Sequence, residues 1–511
     1  MAIGVLEWLW SDNFLKIKLA LLALAATFSL GAQNLKEFQK SVTEFTLANG
    51  LHFIVVERHQ SPVASFHTYV GAGAVNDPDG KTGLAHMFEH MAFKGTDSIG
   101  SRNWPEEKKA LGEVERQYDR LDAARRAHKT TDAEKLAGLQ ADLKNAVERA
   151  NDYVESNLYP GVIESSGGVG MNAGTGEDST NFFYSLPSNR SELWFLLESA
   201  RFLHPVYREF YKERDVVREE RRMRTESNPQ GKLIEVLTAA TFIAHPYHRP
   251  AIGWASDVEN LRVSDAEKFF NTFYAPANMV IAIVGDVQPE QMKRMAEKYF
   301  GPLPARPLPP DPVTVEPPQA GPRRVVVDAQ SQPIEFITYH RPSALDKDDP
   351  VFDVISGILS SGRTGLMYKQ LVRDKRIALE AGADADFPGG KFPNAFLFYL
   401  VPAIGHSDAD NDKALEELID GFKSNLVDDV TLKRVKTVQR ANLIRQLDSN
   451  SGLASLLTMY HGLYGDWRKL FTSLDDVDRV TAADVQRVAR QYFVPQNRTV
   501  AVLRNTAGGA Q

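Results

Sequence analysis

The chain has 511 residues, and its 59 Lys and Arg against 66 Asp and Glu give a formal charge of −7. That length predicts two to four domains at roughly 100 to 200 residues each, and 43% hydrophobic with 24% charged residues excludes wholesale disorder and a polytopic membrane protein. No basic surplus recommends nucleic acid, and the absence of cysteine excludes disulfides, thiolate nucleophiles, iron–sulfur clusters and cysteine-held zinc, so any metal must rest on histidine and carboxylate.

The first feature in chain order is the apolar run Leu19–Ala32, preceded by Lys16 and Lys18 and followed by Gln33 and Asn34. It is shorter than the span of about 20 residues that a bilayer needs. Its positive flank, apolar centre and small residues near Ser29 and Gly31 read as a secretory signal over residues 1–32, which places the mature chain in the periplasm or otherwise outside the bacterial inner membrane. An uncleaved anchor is the alternative, because Glu7 and Asp12 lengthen the segment ahead of the run.

Residues 40–301 form the first expected domain. Strands at Leu51–Val56, Ser65–Val70 and Met279–Val284 are interleaved with amphipathic helices such as Ser191–Leu203. Between Arg102 and Asn157 the sequence becomes dense in charge. There Leu111, Val114, Tyr118 and Leu121, then Leu136, Leu139, Leu143 and Val147, recur at helical spacing on either side of His128–Asp132. This predicts a helical hairpin inserted at 102–157, acting as a solvated lid or as a docking arm. Pro302–Pro322 holds nine prolines in 21 residues, a semi-rigid spacer that makes 302–323 a linker. Beyond it, residues 324–507 carry strands at Arg324–Val327, Ile334–Tyr339 and Ala395–Val401 and a helix at Leu415–Lys423. The punctuation Asp265, Pro276, Asn278, Ala282 recurs as Asp484, Pro495, Asn497, Ala501, every pair offset by 219 residues. A repeat of that length is a duplicated domain. The expected fold is α+β: two homologous α/β-sandwich domains with mixed, largely antiparallel sheets covered by helices. They face each other across a hinge, with the helical hairpin inserted in the first.

The chemistry concentrates in Gly83–Thr96, GLAHMFEHMAFKGT. His86, Glu89 and His90 stand at i, i+3 and i+4, so their side chains share one helix face. Two such imidazoles can bind one divalent ion while the carboxylate reaches water beside it. Gly95 sits where the helix should stop. His204 and the pair His245/His248 adjoin prolines in loop-like sequence and read as structural. A third ligand is needed, and without cysteine a carboxylate is the natural choice. In the helical run Lys212–Arg221, Glu213 and Glu220 lie two turns apart on one face, with Glu219 turned about 100° away. Glu220 is taken as the ligand and Glu213 as the catalytic-site carboxylate supporting it, a merely solvated helix face being the alternative.

The motif around His86 resembles the zinc helix of the pitrilysin/insulinase family, the inverzincins, which includes mitochondrial processing peptidases and many bacterial relatives. The resemblance continues in GGVGMNAGTGEDSTNFFYSLP (167–187), KERDVVREE (212–220), HPYHRPAIG (245–253), FYAPANMVIAIVGDV and ILSSGRTGLMYKQLVRDKRIAL (358–379), covering roughly residues 43 to 505 outside the hairpin. It implies that His86, His90 and Glu220 hold one Zn2+ per chain and that Glu89 is the general base. It also implies that Asn172 and Ala173 belong to an edge strand holding substrate in extended form, and that Arg373 grips the scissile carbonyl. Two departures stand out. His90 and Glu220 are 130 residues apart, farther than in the family pattern, and the hairpin accounts for the excess. Leu379 occupies the place of a tyrosine, and leucine cannot donate to an oxyanion, a loss worth about 3 kcal/mol in the transition state.

The resemblance therefore implies a zinc endopeptidase for extended peptides, working as a homodimer or as a heterodimer with a zinc-less homologous subunit that carries the Arg and Tyr. Compensation by another tyrosine such as Tyr368 is the alternative to the partner. A non-catalytic core subunit of an envelope complex is the alternative to the enzyme, and the complete set His86, Glu89, His90 and Glu220 speaks against it.

Overall fold

The computed structural model describes residues 38–127 and 133–506. The amino-terminal apolar run and the hairpin tip His128–Asp132 lie outside the described residues.

The first sheet comprises β1 (Val42–Thr46), β2 (His52–Glu57), β3 (Val63–Val70), β4 (Val169–Thr175), β5 (Thr180–Pro187) and β6 (Met279–Gly285), in the order β1-β2-β6-β3-β5-β4. The second comprises β7 (Arg323–Ala329), β8 (Ile334–Arg341), β9 (Ala378–Phe387), β10 (Asn394–Pro402) and β11 (Arg498–Asn505), in the order β7-β11-β8-β10-β9. Each sheet has one parallel pair, β2 with β6 and β7 with β11, and is otherwise antiparallel. Apart from β1 the two orders superimpose, which is the duplication in structural form. It extends to single hydrogen bonds. Asn278 Nδ2 donates to Phe273 O at 2.8 Å and Gly71 O at 3.0 Å, and Asn497 Nδ2 donates to Tyr492 O at 3.0 Å and His340 O at 2.7 Å.

The central strand β6, MVIAIVG, is buried along its whole length, as a continuous apolar run requires of a strand covered on both faces. Phe53, Val55, Ile281 and Ile283 face Trp194, Phe195 and Phe300 on helices Ser191–Leu203 and Pro289–Phe300. The alternate residues Ile54, Val56, Val280 and Ala282 face Leu453 and Leu457, which lie on helix Asn450–Tyr464 of the second half. The exchange is mutual: helix Pro229–Thr241 of the first half lays Leu233 and Leu237 against Val327, Phe336, Ala501 and Leu503 of the second sheet. None of the described helices is long and apolar enough to cross a membrane.

Helices Trp104–Arg126 and Ala133–Asn151 pair through Val114, Tyr118, Ala146 and Ala150. The base of this pair is anchored firmly. Arg208, fully buried, donates to Glu107 Oε1 at 2.7 Å and to the carbonyls of Lys94, Thr96 and Ile99. Tyr118 stacks on Tyr211 at 4.3 Å. The proline-rich segment is fastened too, since the Glu316 carboxylate accepts from the backbone N–H groups of Ile243, Ala244 and His245 at 2.9 Å.

Candidate active site

Helix Leu84–Met91 begins at Gly83, whose φ of +86° is left-handed and where a Cβ would stand 2.6 Å from Ile252 O. The Asp77 carboxylate accepts from the N–H of Gly83 at 2.7 Å and of Ala85 at 2.9 Å, serving donors that the first turn leaves free. Burial pushes the Asp77 carboxyl up to about 7 against those donors and Arg249. The helix closes at Met91 with Ala92 as its cap, ahead of Gly95. The expectation that Gly95 stops the helix is thus corrected. Gly95 has φ +84° because the loop after the helix folds back tightly, leaving an added Cβ only 2.2 Å from Ile99 O.

The side chains of His86 and His90 project from this helix toward helix Phe210–Arg221, which carries Glu213 and Glu220, while Glu89 meets Thr175 of β4. Glu220 Oε2 lies 3.7 Å from His86 Nε2 and 3.4 Å from His90 Nε2, and the three donor atoms fall within 4.8 Å of one another. A tetrahedral ion bound at about 2.1 Å spaces its ligand atoms about 3.4 Å apart, so the two distances from Glu220 are close to those of zinc ligands, and the donor set of two imidazoles and a carboxylate suits that ion. Two of the three groups are oriented from behind. His90 Nδ1 lies 2.9 Å from Glu213 Oε1. A carboxylate only accepts, so Nδ1 carries a proton, and Nε2 can ligate once it gives up its own. Lys94 Nζ lies 2.5 Å from Glu213 Oε2, and Arg224 Nε lies 3.0 Å from Glu220 Oε1. His86 Nδ1 is buried with no hydrogen-bond partner among the described residues. Glu219, turned aside as its spacing requires, pairs with Arg222 on the surface.

The electrostatics follow from these contacts. Burial lowers His86 to about 4, with His90 adding to the effect. Burial also opposes the charged form of His90, but Glu213 and Glu220 outweigh it and raise this ring to about 9. Burial works against the Glu213 carboxylate as well, yet His90 and Lys94 hold it below the usual range, while the bond to His90 chiefly keeps Glu220 low. Glu89 moves the other way: burial raises it, and the Thr175 hydroxyl, donating to Oε2 at 2.7 Å, only partly offsets this.

Glu89 and His90 open onto a cavity of about 320 Å³ whose walls include Lys94, Asn172, Ala173 and Glu213. Asn172 and Ala173 belong to β4, the edge strand of the first sheet. Asn172 is exposed, and its Oδ1 accepts from the N–H of Ala173 at 2.9 Å. Arg373 is not among the residues lining this cavity; it is exposed and donates to its neighbour Asp374 at 2.6 Å and 3.0 Å. Leu379 stands 49% exposed on β9. His204 faces Asp97 at 3.5 Å and His245 packs edge-on to Tyr247, so neither joins the trio. The reading of the sequence missed Thr175, Lys94, Arg224 and Asp77. The first two fall inside quoted motifs, but no local spacing gives them partners.

Residues 53–155 match the family described as Insulinase (Peptidase family M16), and residues 260–442 match the Peptidase M16 inactive domain. Together these spans exceed half of the chain. The zinc protease PqqE of Helicobacter pylori is 26% identical over 491 residues, covering 93% of this chain and 95% of that protein. The probable mitochondrial-processing peptidase subunit beta of Arabidopsis thaliana is 22% identical, covering 90% of this chain and 77% of that protein. In fold the chain is similar to the crystal structure of a protease from Helicobacter pylori, with a TM-score of 0.75 and 24% identity over 91% of this chain and 99% of that one. With both family descriptions matched along one chain and a fold shared with a solved protease, the chain belongs to the M16, or insulinase, family of peptidases.

Proposed function

We propose that this chain is a zinc-dependent endopeptidase that cleaves extended peptides or unfolded polypeptides. One observation carries the reading: two imidazoles and a carboxylate converge at ligand spacing, with the carboxyl of Glu89 beside them in a cavity walled by an open strand edge. His86, His90 and Glu220 would hold the ion, with Glu213 and Arg224 orienting two of them. Zinc, when bound, supplies a Lewis acid that acidifies water and polarises a carbonyl. Glu89 takes the proton from the attacking water and returns it to the departing amine, a task suited to a carboxyl that burial has raised. The backbone of β4 at Asn172 and Ala173 pairs with the peptide main chain and sets its register.

With Arg373 engaged by Asp374 and Leu379 apolar, the donors facing the carbonyl from the opposite side come from a second, homologous subunit that lacks zinc. The segment 1–32 directs export to the periplasm. A scaffold would have no use for Lys94, Glu213 and Arg224 arranged behind the ligands. Metal analysis and a peptide-library digest test the proposal, run on the chain alone and after addition of its co-purifying partner. One zinc per chain with cleavage in either arm supports it, and a chain that takes up no zinc overturns it.

A further inference from the structure

We propose that Asp178, on the turn between β4 and β5, is a positioning residue for Glu89, and that it acts by fastening this turn to the second half of the chain. The inference rests on the reading of Glu89 as the base. Asp178 Oδ1 accepts from Tyr247 Oη at 2.6 Å, and Oδ2 accepts from the backbone N–H groups of Gly390 at 2.9 Å and Lys391 at 3.0 Å. Gly390 and Lys391 sit in the loop between β9 and β10, the hairpin that corresponds by duplication to β4–β5. Tyr247 Oη also accepts from Phe392 N at 3.2 Å, and Val75, Phe242, Tyr247, Phe392 and Ala395 close a small apolar cluster over the junction. The fit leaves no slack at Gly389, where a Cβ would stand 2.6 Å from Asp178 Oδ2 and 2.9 Å from Tyr247 Oη.

From this junction two short paths reach the base. Thr175, three residues before Asp178, donates its hydroxyl to Glu89 Oε2. On the other path the turn carbonyls of Gly176 and Glu177 accept from the N–H groups of Ala74 and Val75 at 3.0 Å and 2.9 Å. These residues open the segment leading to Asp77, which caps the helix bearing Glu89. Contacts within the first half hold the turn in part. The Asp178 carboxylate adds charge-assisted bonds whose backbone donors belong to the second half. That half carries no ligand trio of its own among the described residues, yet it enters the chemistry by holding the turn that aims the base. Reacting groups must be held to about 0.5 Å, and a displacement of about 1 Å can cost about 100-fold in rate.

The test uses the full zinc-loaded chain together with its co-purifying partner, an internally quenched peptide library and amide hydrogen exchange. In Asp178→Ala, kcat is expected to fall about tenfold or more with KM nearly unchanged and zinc content intact, while exchange accelerates together in 174–180 and 388–393. Asp178→Asn, whose amide carbonyl still accepts from the loop, recovers most of the lost kcat. Gly389→Ala reproduces the loss from the opposite half, and it carries the test should Asp178→Ala fail to fold. Wild-type kcat in Asp178→Ala and Gly389→Ala overturns the proposal, as does a loss of kcat without faster exchange in both segments. A wild-type chain that binds zinc and cleaves no peptide even with that partner overturns the endopeptidase reading instead, and the positioning role of Asp178 falls with it.

Discussion

Glu89 and Glu213 differ in what surrounds them, and that difference assigns their parts. Glu89 is half-buried with one hydroxyl donor, so Glu89→Gln, which keeps the shape and removes the base, is expected to cost about 100- to 10,000-fold in peptide cleavage with zinc still bound at one per chain; elemental analysis beside a kinetic assay checks both. Glu213 faces His90 and Lys94. Glu213→Ala leaves the imidazole without its acceptor and is expected to weaken zinc binding about 10- to 100-fold, measured by competition with a chelator. Thr175 favours the charged form of Glu89, so Thr175→Val raises this carboxyl further. The sign follows: a base must be deprotonated to act, and the acid limb of the kcat/KM profile moves to higher pH. Of these groups, His86, Glu89 and His90 were legible because helical spacing is local. Glu220 was picked out by helix spacing and the need for a carboxylate, but only the resemblance singled it out firmly, since a charged helix face has many readings. Thr175 was not legible because its partner lies across the sheet.

Among the elements, helix Leu84–Met91 depends on how it starts. Gly83→Ala places a side chain in a left-handed position facing Ile252 O and is expected to cost about 1 to 3 kcal/mol, read from urea denaturation. The six strands given bounds from the sequence agree to within about two residues because period-two alternation and apolar runs are short-range signals, and the paired helices were legible through the spacing of Val114, Tyr118 and Leu121. Gly95 was misread because a glycine near a helix end serves either as its stop or as the hinge of the next turn, and only the approach of Ile99 decides.

At the scale of the molecule the exchanged helices matter most. Helix Asn450–Tyr464 covers Ile54, Val56 and Val280 of the first sheet, so a fragment ending at Pro322 exposes that apolar face. The fragment is expected to be insoluble or to lack the near-ultraviolet circular dichroism of the whole chain. The duplication was visible in the sequence from its 219-residue offset. The exchange was not visible, because an amphipathic helix declares that it needs a sheet without saying which one.

The outer edge of β4 has a bulge between Val169 and Asn172 and carries small residues at Gly170, Ala173 and Gly174. If this edge receives substrate as proposed, it measures whether a polypeptide still has amides to share and pays little heed to its lettering. Chains already knitted into helix or sheet would pass by uncut, N-methylated or proline-studded ones would slip off, and the molecule would sort its surroundings by foldedness.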